Sequence, residues 1–299
     1  MHSVTAPAKA KGPIVWLDMD QRELDDAYDQ EVYAPNRDLV VSRRIVASDR
    51  ARAVLGQPQR IAYGASEHEK LDLFRAPVAN APVNVFVHGG AWIRNKASDY
   101  ALQAEPLVCA GAHAIFIDFI NVEQAGGSLL PMFEQVSRAI AWAWRNAETF
   151  GGDRARFYVS AHSSGSHLAG CALTVGWREQ GLPENFCKGA LLASGMYDLA
   201  PVRLSKRSSY VKFTDAMVEK LGAMRHLDGL HTPLVVAHGT CETPEFKRQT
   251  RDFAAAVKAA GKPVELIVGE GYNHFEMCET LANPYGLLGR AMLKQMGLS

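Results

Sequence analysis

The chain has 299 residues, of which 47% are hydrophobic and 21% charged, a composition typical of a folded globular protein. Its 32 Lys and Arg residues balance 32 Asp and Glu residues, which argues against a broad electrostatic surface for nucleic acid. No apolar run approaches the roughly 18 residues of a membrane span. Residues 1–12 lead into no apolar segment of a secretory signal. We therefore expect neither a nucleic acid nor a membrane as a partner.

The cysteines are widely spaced and odd in number, and none forms a CxxC pair. They are Cys109, Cys171, Cys187, Cys241 and Cys278. This usage is typical of reduced thiols and predicts a cytoplasmic protein.

The N-terminal part, residues 1–58, is predicted to be a partly helical extension that packs on the rest of the chain. It is irregular and polar up to Pro13. Apolar residues at helical spacing then predict one helix over residues 20–33 and a second over residues 38–55.

From residue 59 onward, short strands alternate with helices. Extended runs at 59–63 and 70–74 flank a turn and predict a hairpin. Further strand-length apolar runs lie at 83–87, 112–117, 156–160, 189–193, 233–237 and 264–268. Helical stretches lie at 99–109, 132–150, 166–177, 245–260 and 284–296. This alternation predicts one α/β domain over residues 59–299, with a mostly parallel sheet and helices on both faces.

Ser163 lies in a strand, sharp turn and helix pattern that is typical of a nucleophile elbow. The usual elbow is G-x-S-x-G, because the tight turn leaves room only for small neighbours. Gly165 matches it, whereas Ala161 replaces the first glycine. The alternative interpretation is a strand-to-helix turn in which serines cap the helix.

The motif His88-Gly89-Gly90-Ala91-Trp92 directly follows a predicted strand and precedes Ser163 by about 75 residues, as an oxyanion loop does in this arrangement. Glycines allow successive backbone amides to point at one spot, which is what a tetrahedral oxyanion requires. The amide of Ser164 is expected to supply a further donor.

The acid and the histidine of a triad should follow the serine in that order. Glu242 comes after the strand predicted at 233–237, and His274 after the strand at 264–268. His274 is expected to move the proton of Ser163, and Glu242 to orient the imidazole. Asp198 and Glu245 are the competing acids, although a turn or cap suits the first and a helix start the second.

The other histidines near the predicted site are assigned no catalytic role. His88 and His238 precede glycines at strand ends and are interpreted as structural, His162 as buried beside the elbow, and His167 as a core or pocket residue. The sequence has no HExxH, CxxC, GxGxxG or GxxxxGK[ST] motif. We therefore expect no metal and no cofactor.

Together these motifs resemble the α/β-hydrolase fold, and more narrowly the arylformamidase (kynurenine formamidase) group of serine hydrolases. Residues 88–92 match that group's HGGxW pattern, and the elbow at Ser163 agrees with it. Further similarity lies at 63–64, 71–74, 243–249 and 273–275, so the resemblance covers the chain from about residue 20 onward.

The resemblance implies that the amides of Gly90 and Ala91 line the oxyanion hole, and it is compatible with a homodimer. Two departures stand out, because Glu242 replaces the group's usual Asp and Ala161 replaces the elbow glycine. They suggest a divergent member, for which N-formylkynurenine is not assured as the substrate.

Residues that would bind the substrate are harder to predict. Trp92 either walls an aromatic pocket or anchors its loop in the core. Tyr197 and Tyr210 lie in residues 197–228, the segment that fits the strand–helix alternation least and is a candidate lid. Arg94 and Lys96 are alternatives for pairing with a substrate carboxylate, or else solvated loop charges.

The sequence favours a serine hydrolase that cleaves a small amide, of the aryl formamide or acylamino type, through a Ser-His-Glu triad and an acyl-enzyme. The alternative is a carboxylesterase that acts on small acyl esters. A third hypothesis is a ligand-binding member of the fold without turnover. The complete set of serine, acid and histidine argues against it, since binding alone needs no triad.

Overall fold

The computed structural model describes residues 11–298. The expectation that residues 1–12 belong to no secretory signal therefore concerns residues that lie mostly outside this range. The strands are β1 (Ile14–Trp16), β2 (Met19–Asp20), β3 (Gln59–Ala62), β4 (Lys70–Phe74), β5 (Ala81–Val87), β6 (His113–Ile117), β7 (Gly152–His162), β8 (Gly189–Ala193), β9 (Leu234–Gly239) and β10 (Val264–Gly269). The α-helices are α1 (Gln21–Ala27), α2 (Arg37–Leu55), α3 (Ala104–Cys109), α4 (Leu130–Asn146), α5 (Ser164–Leu173), α6 (Leu199–Val202), α7 (Asp215–Lys220), α8 (Pro244–Ala259), α9 (His274–Glu279) and α10 (Leu287–Gln295).

The central sheet has eight strands in the order β10-β9-β8-β7-β5-β6-β4-β3. Strand β4 is antiparallel to both β3 and β6, and the remaining pairs are parallel. The mostly parallel sheet predicted from the alternation of strands and helices is confirmed. The hairpin predicted at 59–63 and 70–74 is confirmed as β3 and β4.

Strand β5 shows how the sheet separates two apolar cores. Val85 and Val87 belong to one buried cluster, whereas Phe86, between them, belongs to the cluster on the opposite face. This follows from the two-residue period of a strand. Because both faces are covered by helices, the strand is buried along its whole length, and its one polar side chain, Asn84, donates to Ser160 at 2.7 Å. The polar loop that begins with His88 follows it.

The N-terminal segment differs from its prediction in length. The helix expected over 20–33 begins at Gln21, where Asp20 and Glu23 form a capping box, but it ends at Ala27. Tyr28 is the C-cap residue of this helix and donates from its hydroxyl to Glu245 of α8 at 2.7 Å, and turns follow up to α2. The small β1–β2 hairpin was not predicted.

Two other predicted helices differ at their N-terminal ends. The stretch expected over 99–109 begins as a 3-10 helix over Ala97–Gln103 and becomes α-helical only from Ala104. The helix expected from residue 166 begins earlier, at Ser164.

Helix α2 lies against this first 3-10 helix. Ser48 donates to the carbonyl of Asp99 at 3.0 Å, and Arg52 donates to that of Ser98 at 2.6 Å. At the N-terminal end of α2, Asn36 donates to Glu276 of α9 at 2.7 Å. The N-terminal segment therefore lies on the loops that follow several strands, where sites of α/β sheets form.

Residues 197–228 form a chain of short helices after β8, including α6 and α7. The segment contacts the N-terminal helix α1, since Gln21 donates to the carbonyl of Leu204 at 2.8 Å and Asp25 accepts from the amide of Lys206 at 2.6 Å. Its role as a lid stays a prediction. Within residues 11–298, no helix combines the length and apolar composition needed to cross a membrane.

Candidate active site

Ser163 occupies the turn between β7 and α5 with φ 60° and ψ −127°, a backbone conformation that is strained for a residue with a side chain. Its side chain makes no capping hydrogen bond to α5, so the capping interpretation fails. The turn is crowded, because a Cβ at Gly165 would lie 2.2 Å from the carbonyl oxygen of Val87. This is the geometry of a nucleophile elbow.

Ala161 is accommodated where the usual motif has glycine. It is fully buried and sits in regular register in β7, opposite Val87 and Leu192. It is not among the residues with positive φ. The methyl group therefore costs no backbone strain.

His274 is the first residue of α9 and faces Ser163. Asn273 caps this helix by accepting from the amides of Phe275 and Glu276, which fixes where α9 begins. The imidazole Nε2 lies 2.8 Å from Ser163 Oγ, and Nδ1 lies 2.8 Å from Glu242 Oε2. The structure thus joins the three predicted triad residues in one hydrogen-bonded chain.

Glu242 is fully buried, and its two carboxylate oxygens are surrounded by donors. Oε1 accepts from Ser194 Oγ and from the amide of Gly239, both at 2.7 Å. Oε2 accepts from Gln30 at 3.2 Å as well as from His274. These bonds satisfy a buried charge and favour the imidazole tautomer with its proton on Nδ1, which leaves Nε2 to accept from serine.

The competing acids are engaged elsewhere. Asp198 caps α6 by accepting from the amide of Ala200 at 3.0 Å. Glu245 accepts from Tyr28 at 2.7 Å and forms two bonds with Arg248. Neither is hydrogen bonded to His274.

Two buried histidines near Ser163 in sequence have different partners. His162 Nε2 donates to the carbonyl of His274 at 2.9 Å, and the two rings are 4.6 Å apart. Burial holds the pKa of His162 well below its ordinary value, so the ring is neutral. His162 therefore helps to position His274. The sequence predicted only that it is buried beside the elbow. His167 Nε2 donates to the carbonyl of Leu221 at 2.9 Å and belongs to the core.

The remaining two histidines near strand ends are bound locally. His88 Nδ1 lies 2.8 Å from the carbonyl of Gly89, and its ring stacks on Phe119. His238 Nδ1 lies 3.2 Å from the carbonyl of Gly239. Neither is placed against Ser163.

The predicted oxyanion loop has three successive residues with positive φ, Gly90 at 126°, Ala91 at 56° and Trp92 at 67°. The amides of Gly90 and Ala91 donate to no backbone carbonyl of residues 11–298. Ser164 is the first residue of α5, so its amide has no intrahelical acceptor. Ser164 Oγ also accepts from the amide of Trp92 at 3.3 Å, which ties the loop to the elbow.

A cleft with about 560 Å³ of empty space, its open mouth included, leads to Ser163 and His274. The α/β domain contributes Ala91, Arg94, Asn95, Arg207 and Phe275 to its walls. The N-terminal segment contributes Asp29, Gln30, Glu31, Arg37, Val41 and Arg44. Sequence reasoning did not identify these N-terminal residues, because nothing local indicates that this segment folds over the strand ends.

The two predicted substrate-binding aromatics lie outside the cleft lining. Tyr197 is fully buried and stacks on Phe253 at 4.0 Å, so we assign it to the core instead. Trp92 is 2% exposed and packs edge-on against His167, which favours the interpretation that it anchors its loop.

The weaker candidates have other partners. Arg94 lines the cleft but pairs with Glu31 at 3.2 Å. The amide of Lys96 donates to Asp99, and Tyr210 accepts from Arg207 at 2.8 Å. Within residues 11–298, no group of three or more His, Cys, Asp or Glu side chains is arranged to hold a metal ion.

Known proteins resemble the chain in sequence. A family model described as BD-FAE matches residues 71–188. The kynurenine formamidase of Danio rerio is 27% identical over 95% of this chain and 99% of its own length. The isoprenylcysteine alpha-carbonyl methylesterase ICME of Arabidopsis thaliana is 26% identical, over 73% of this chain and 56% of its own length.

Solved structures resemble the fold. A protein from Silicibacter sp. superimposes with a TM-score of 0.76 and 21% identity, over 89% of this chain and 97% of that one. Esterase LipW from Mycobacterium marinum superimposes with a TM-score of 0.69 and 19% identity, over 90% of each chain. The chain is therefore a hydrolase with the α/β-hydrolase fold, and it resembles the kynurenine formamidases.

Proposed function

We propose that this hydrolase cleaves a small amide, of the aryl formamide type, through a Ser163–His274–Glu242 triad and an acyl-enzyme. The observation that carries the proposal is the unbroken hydrogen-bonded chain from Ser163 Oγ through His274 to Glu242, with 2.8 Å at each step. A serine, a base and an orienting acid in this geometry are the requirements of acyl transfer.

In the first half-reaction, Ser163 Oγ attacks the carbonyl carbon and its proton passes to His274 Nε2. The buried Glu242 carboxylate stabilises the imidazolium that forms, and the amides of Gly90, Ala91 and Ser164 hold the oxyanion. The tetrahedral intermediate collapses, the C–N bond breaks, and His274 returns the proton to the leaving amine. An ester of Ser163 remains.

In the second half-reaction, His274 takes a proton from water, whose oxygen attacks the acyl-enzyme carbon. Collapse breaks the bond to Ser163 Oγ, which takes the proton back from His274. The products are the amine and the carboxylic acid, which is formic acid for a formamide. The amide and one water molecule are consumed, and Ser163, His274 and Glu242 return to their starting states.

An amide is favoured over an ester by the extent of the sequence similarity. The kynurenine formamidases of Danio rerio and Salmo salar align with 95% of this chain and 99% of their own lengths. The methylesterase ICME aligns with 73% of this chain. A carboxylesterase is the second candidate, which the esterase relatives support, and amides and esters share the same triad chemistry.

The test compares N-formyl-L-kynurenine with p-nitrophenyl acetate as substrates of the wild type and Ser163→Ala. Ser42→Ala, an exposed serine on α2, is the matched control and should keep wild-type rates. We expect deformylation that Ser163→Ala lowers by at least about 10⁴-fold. Ester cleavage alone, lost in the same variant, would support the esterase. Appreciable turnover by Ser163→Ala would overturn the triad.

Labelling gives a readout that is independent of the substrate. An activated serine reacts with a fluorophosphonate probe, forming an O–P bond as fluoride leaves. We expect the probe's mass to be added at Ser163 in the wild type and in Ser42→Ala. Failure to label Ser163 would count against its activation by His274.

A further inference from the structure

Two arginines in the cleft wall are buried and have no carboxylate partner among residues 11–298. Arg44 of α2 is 9% exposed, and Arg207, in the 3-10 helix Lys206–Ser209, is 6% exposed. Neither forms an ion pair with a carboxylate of residues 11–298, and the Nε atom of each is buried without a hydrogen-bond partner. Burying an unpaired guanidinium is unfavourable unless an anion completes the site.

The contacts of both arginines are neutral. Arg44 lies 4.4 Å from the centre of the Tyr100 ring and donates to its hydroxyl at 3.2 Å. Arg207 donates to the hydroxyl of Tyr210 at 2.8 Å and to the carbonyl of Tyr28 at 2.9 Å. Such contacts hold each guanidinium in place without an ion pair. Asp29 forms its ion pair with Lys206, and the nearby charge of Arg207 only helps to lower the pKa of this carboxyl.

The other charged groups of the cleft compensate one another. Glu31 pairs with Arg37 at 3.4 Å and with Arg94 at 3.2 Å. Asp29 pairs with Lys206. The cleft therefore has a surplus of positive charge on Arg44 and Arg207, whereas both of its wall carboxylates already have cationic partners.

Arg207 is also close to the reacting groups. Its guanidinium lies 5.2 Å from the centre of a ring of Trp92, the residue after Ala91 in the oxyanion loop. It lies 6.0 Å from the centre of the Phe246 ring, which packs edge-on against His274 at 5.2 Å. A substrate bound at Ser163 therefore lies within reach of this charge.

We propose that Arg44 and Arg207 form a carboxylate-binding subsite, and that the substrate is an anion which carries a carboxylate and no ammonium group. The first part follows from two buried guanidinium groups without counter-ions, and the second from the paired state of Asp29 and Glu31. This inference rests on the proposed hydrolysis at Ser163. It distinguishes the cleft from one made for a zwitterionic amino acid such as N-formyl-L-kynurenine.

The test compares 2-formamidobenzoate with its neutral isostere 2-formamidobenzamide. We expect the wild type to prefer the carboxylate by about 10- to 100-fold in kcat/KM, as charge-assisted hydrogen bonds imply. N-formyl-L-kynurenine should react more slowly than the benzoate. Equal rates for the two benzoyl compounds, or a faster reaction of the zwitterion, would overturn the proposal.

Variants assign the preference to the two arginines. Arg44→Gln and Arg207→Gln should bring the rate ratio toward one, mainly through KM, whereas Arg44→Lys and Arg207→Lys should retain part of it. The controls are Arg43→Gln, beside Arg44 on α2, and Arg203→Gln, near Arg207. Arg43 forms an ion pair with Glu279 and Arg203 one with Asp215, and neither arginine lines the cleft, so both variants should leave the ratio unchanged. A ratio that survives both Gln variants contradicts the subsite.

Binding separates this inference from the proposed function. Calorimetry should show that Ser163→Ala binds 2-formamidobenzoate. Adding Arg44→Gln or Arg207→Gln to this variant should raise the Kd at least about tenfold. If the wild type turns over neither compound but this binding holds, the function fails and the subsite stands. If Ser163-dependent turnover occurs but binding is insensitive to both arginines, the subsite fails and the function stands.

Discussion

Gln30 donates a hydrogen bond to the buried carboxylate of Glu242 at 3.2 Å, although 212 residues separate them in the chain. The same amide group also accepts from the backbone of Thr243 at 3.3 Å. Gln30 additionally lines the cleft. The N-terminal segment therefore helps to fix the acid of the proposed triad, because its amide takes one of the positions around Oε2.

Replacing Gln30 by Leu should lower kcat by about 5- to 30-fold, since a buried carboxylate loses one donor worth about 1–2 kcal/mol. KM should change less, because the bond is to Glu242 and not to substrate. The measurement is steady-state kinetics with the substrate that the wild type turns over. Gln21→Leu, which removes an exposed amide of the same segment, should behave as the wild type. An unchanged kcat in Gln30→Leu would show that the contact does not support the acid.

Glu242→Gln should lower kcat by about 10³- to 10⁴-fold, since a neutral amide no longer enforces the imidazole tautomer or stabilises the imidazolium. Glu242→Asp should fall in between, because the shorter side chain retains the charge but shifts its oxygens away from His274. Asp198→Asn tests the competing acid and should stay within about threefold of the wild type. The rates of the three variants, with circular dichroism to confirm folding, decide the assignment. A larger loss in Asp198→Asn than in Glu242→Gln would reverse it.

Gly165→Ala should destabilise the protein by about 3 kcal/mol or more, because the added methyl would lie 2.2 Å from the carbonyl oxygen of Val87 and 2.5 Å from that of His88. These are backbone atoms of two consecutive residues, so no flexible side chain can move aside. At Gly176, by contrast, the nearest atom to an added Cβ is 3.9 Å away, on Glu179. Gly176→Ala should therefore change the free energy of unfolding by less than about 0.5 kcal/mol. Urea denaturation measures both, and equal stability of the two variants would contradict the crowded elbow.

The buried His167 should make stability depend on pH below neutrality. Burial lowers its pKa from 6.5 to about 4. As the pH falls from about 6.5 to about 4, the unfolded chain takes up a proton that the folded chain resists, so the folded state loses up to about 3 kcal/mol from this residue. Above about pH 6.5 both states are neutral there and the contribution is constant.

His167→Gln retains an amide donor for the carbonyl of Leu221 and removes the titration. The difference in free energy of unfolding between wild type and variant should therefore shrink as the pH falls from 7.5 to 5. The buried His88 and His162 shift in the same direction, but they are present in both proteins and cancel in the difference. Urea denaturation at three pH values measures this. A constant difference would mean that His167 has the same pKa in the folded and unfolded states.

Much of the fold and of the triad was predictable from local sequence. A buried strand such as β8 is a continuous apolar run, and Ser163, Glu242 and His274 each lie shortly after the end of a strand of the parallel sheet. Because the carboxyl ends of parallel strands share one edge, residues in those loops are brought together whatever the details of packing.

The predictions that differ from the structure concern side-chain direction and long-range contacts. Tyr197 was expected near the substrate, yet it is buried against Phe253, because its loop turns inward after β8. At the end of α1, the hydroxyl of Tyr28 donates to Glu245, 217 residues away. Periodicity contains no information about either, since both depend on partners remote in sequence.

Short segments of the sequence are enough to predict the order of strands and helices, the sharp turn at Ser163 and the three residues of the proposed triad, because each depends on neighbours close in the chain. The folded chain is needed to see that Gln30 donates to Glu242, and that Arg44 and Arg207 line the cleft with no carboxylate partner among residues 11–298. A hydrogen bond or an unpaired charge is defined by the groups that surround it. Those groups come from segments up to about two hundred residues apart, which meet only when the N-terminal segment folds over the strand ends.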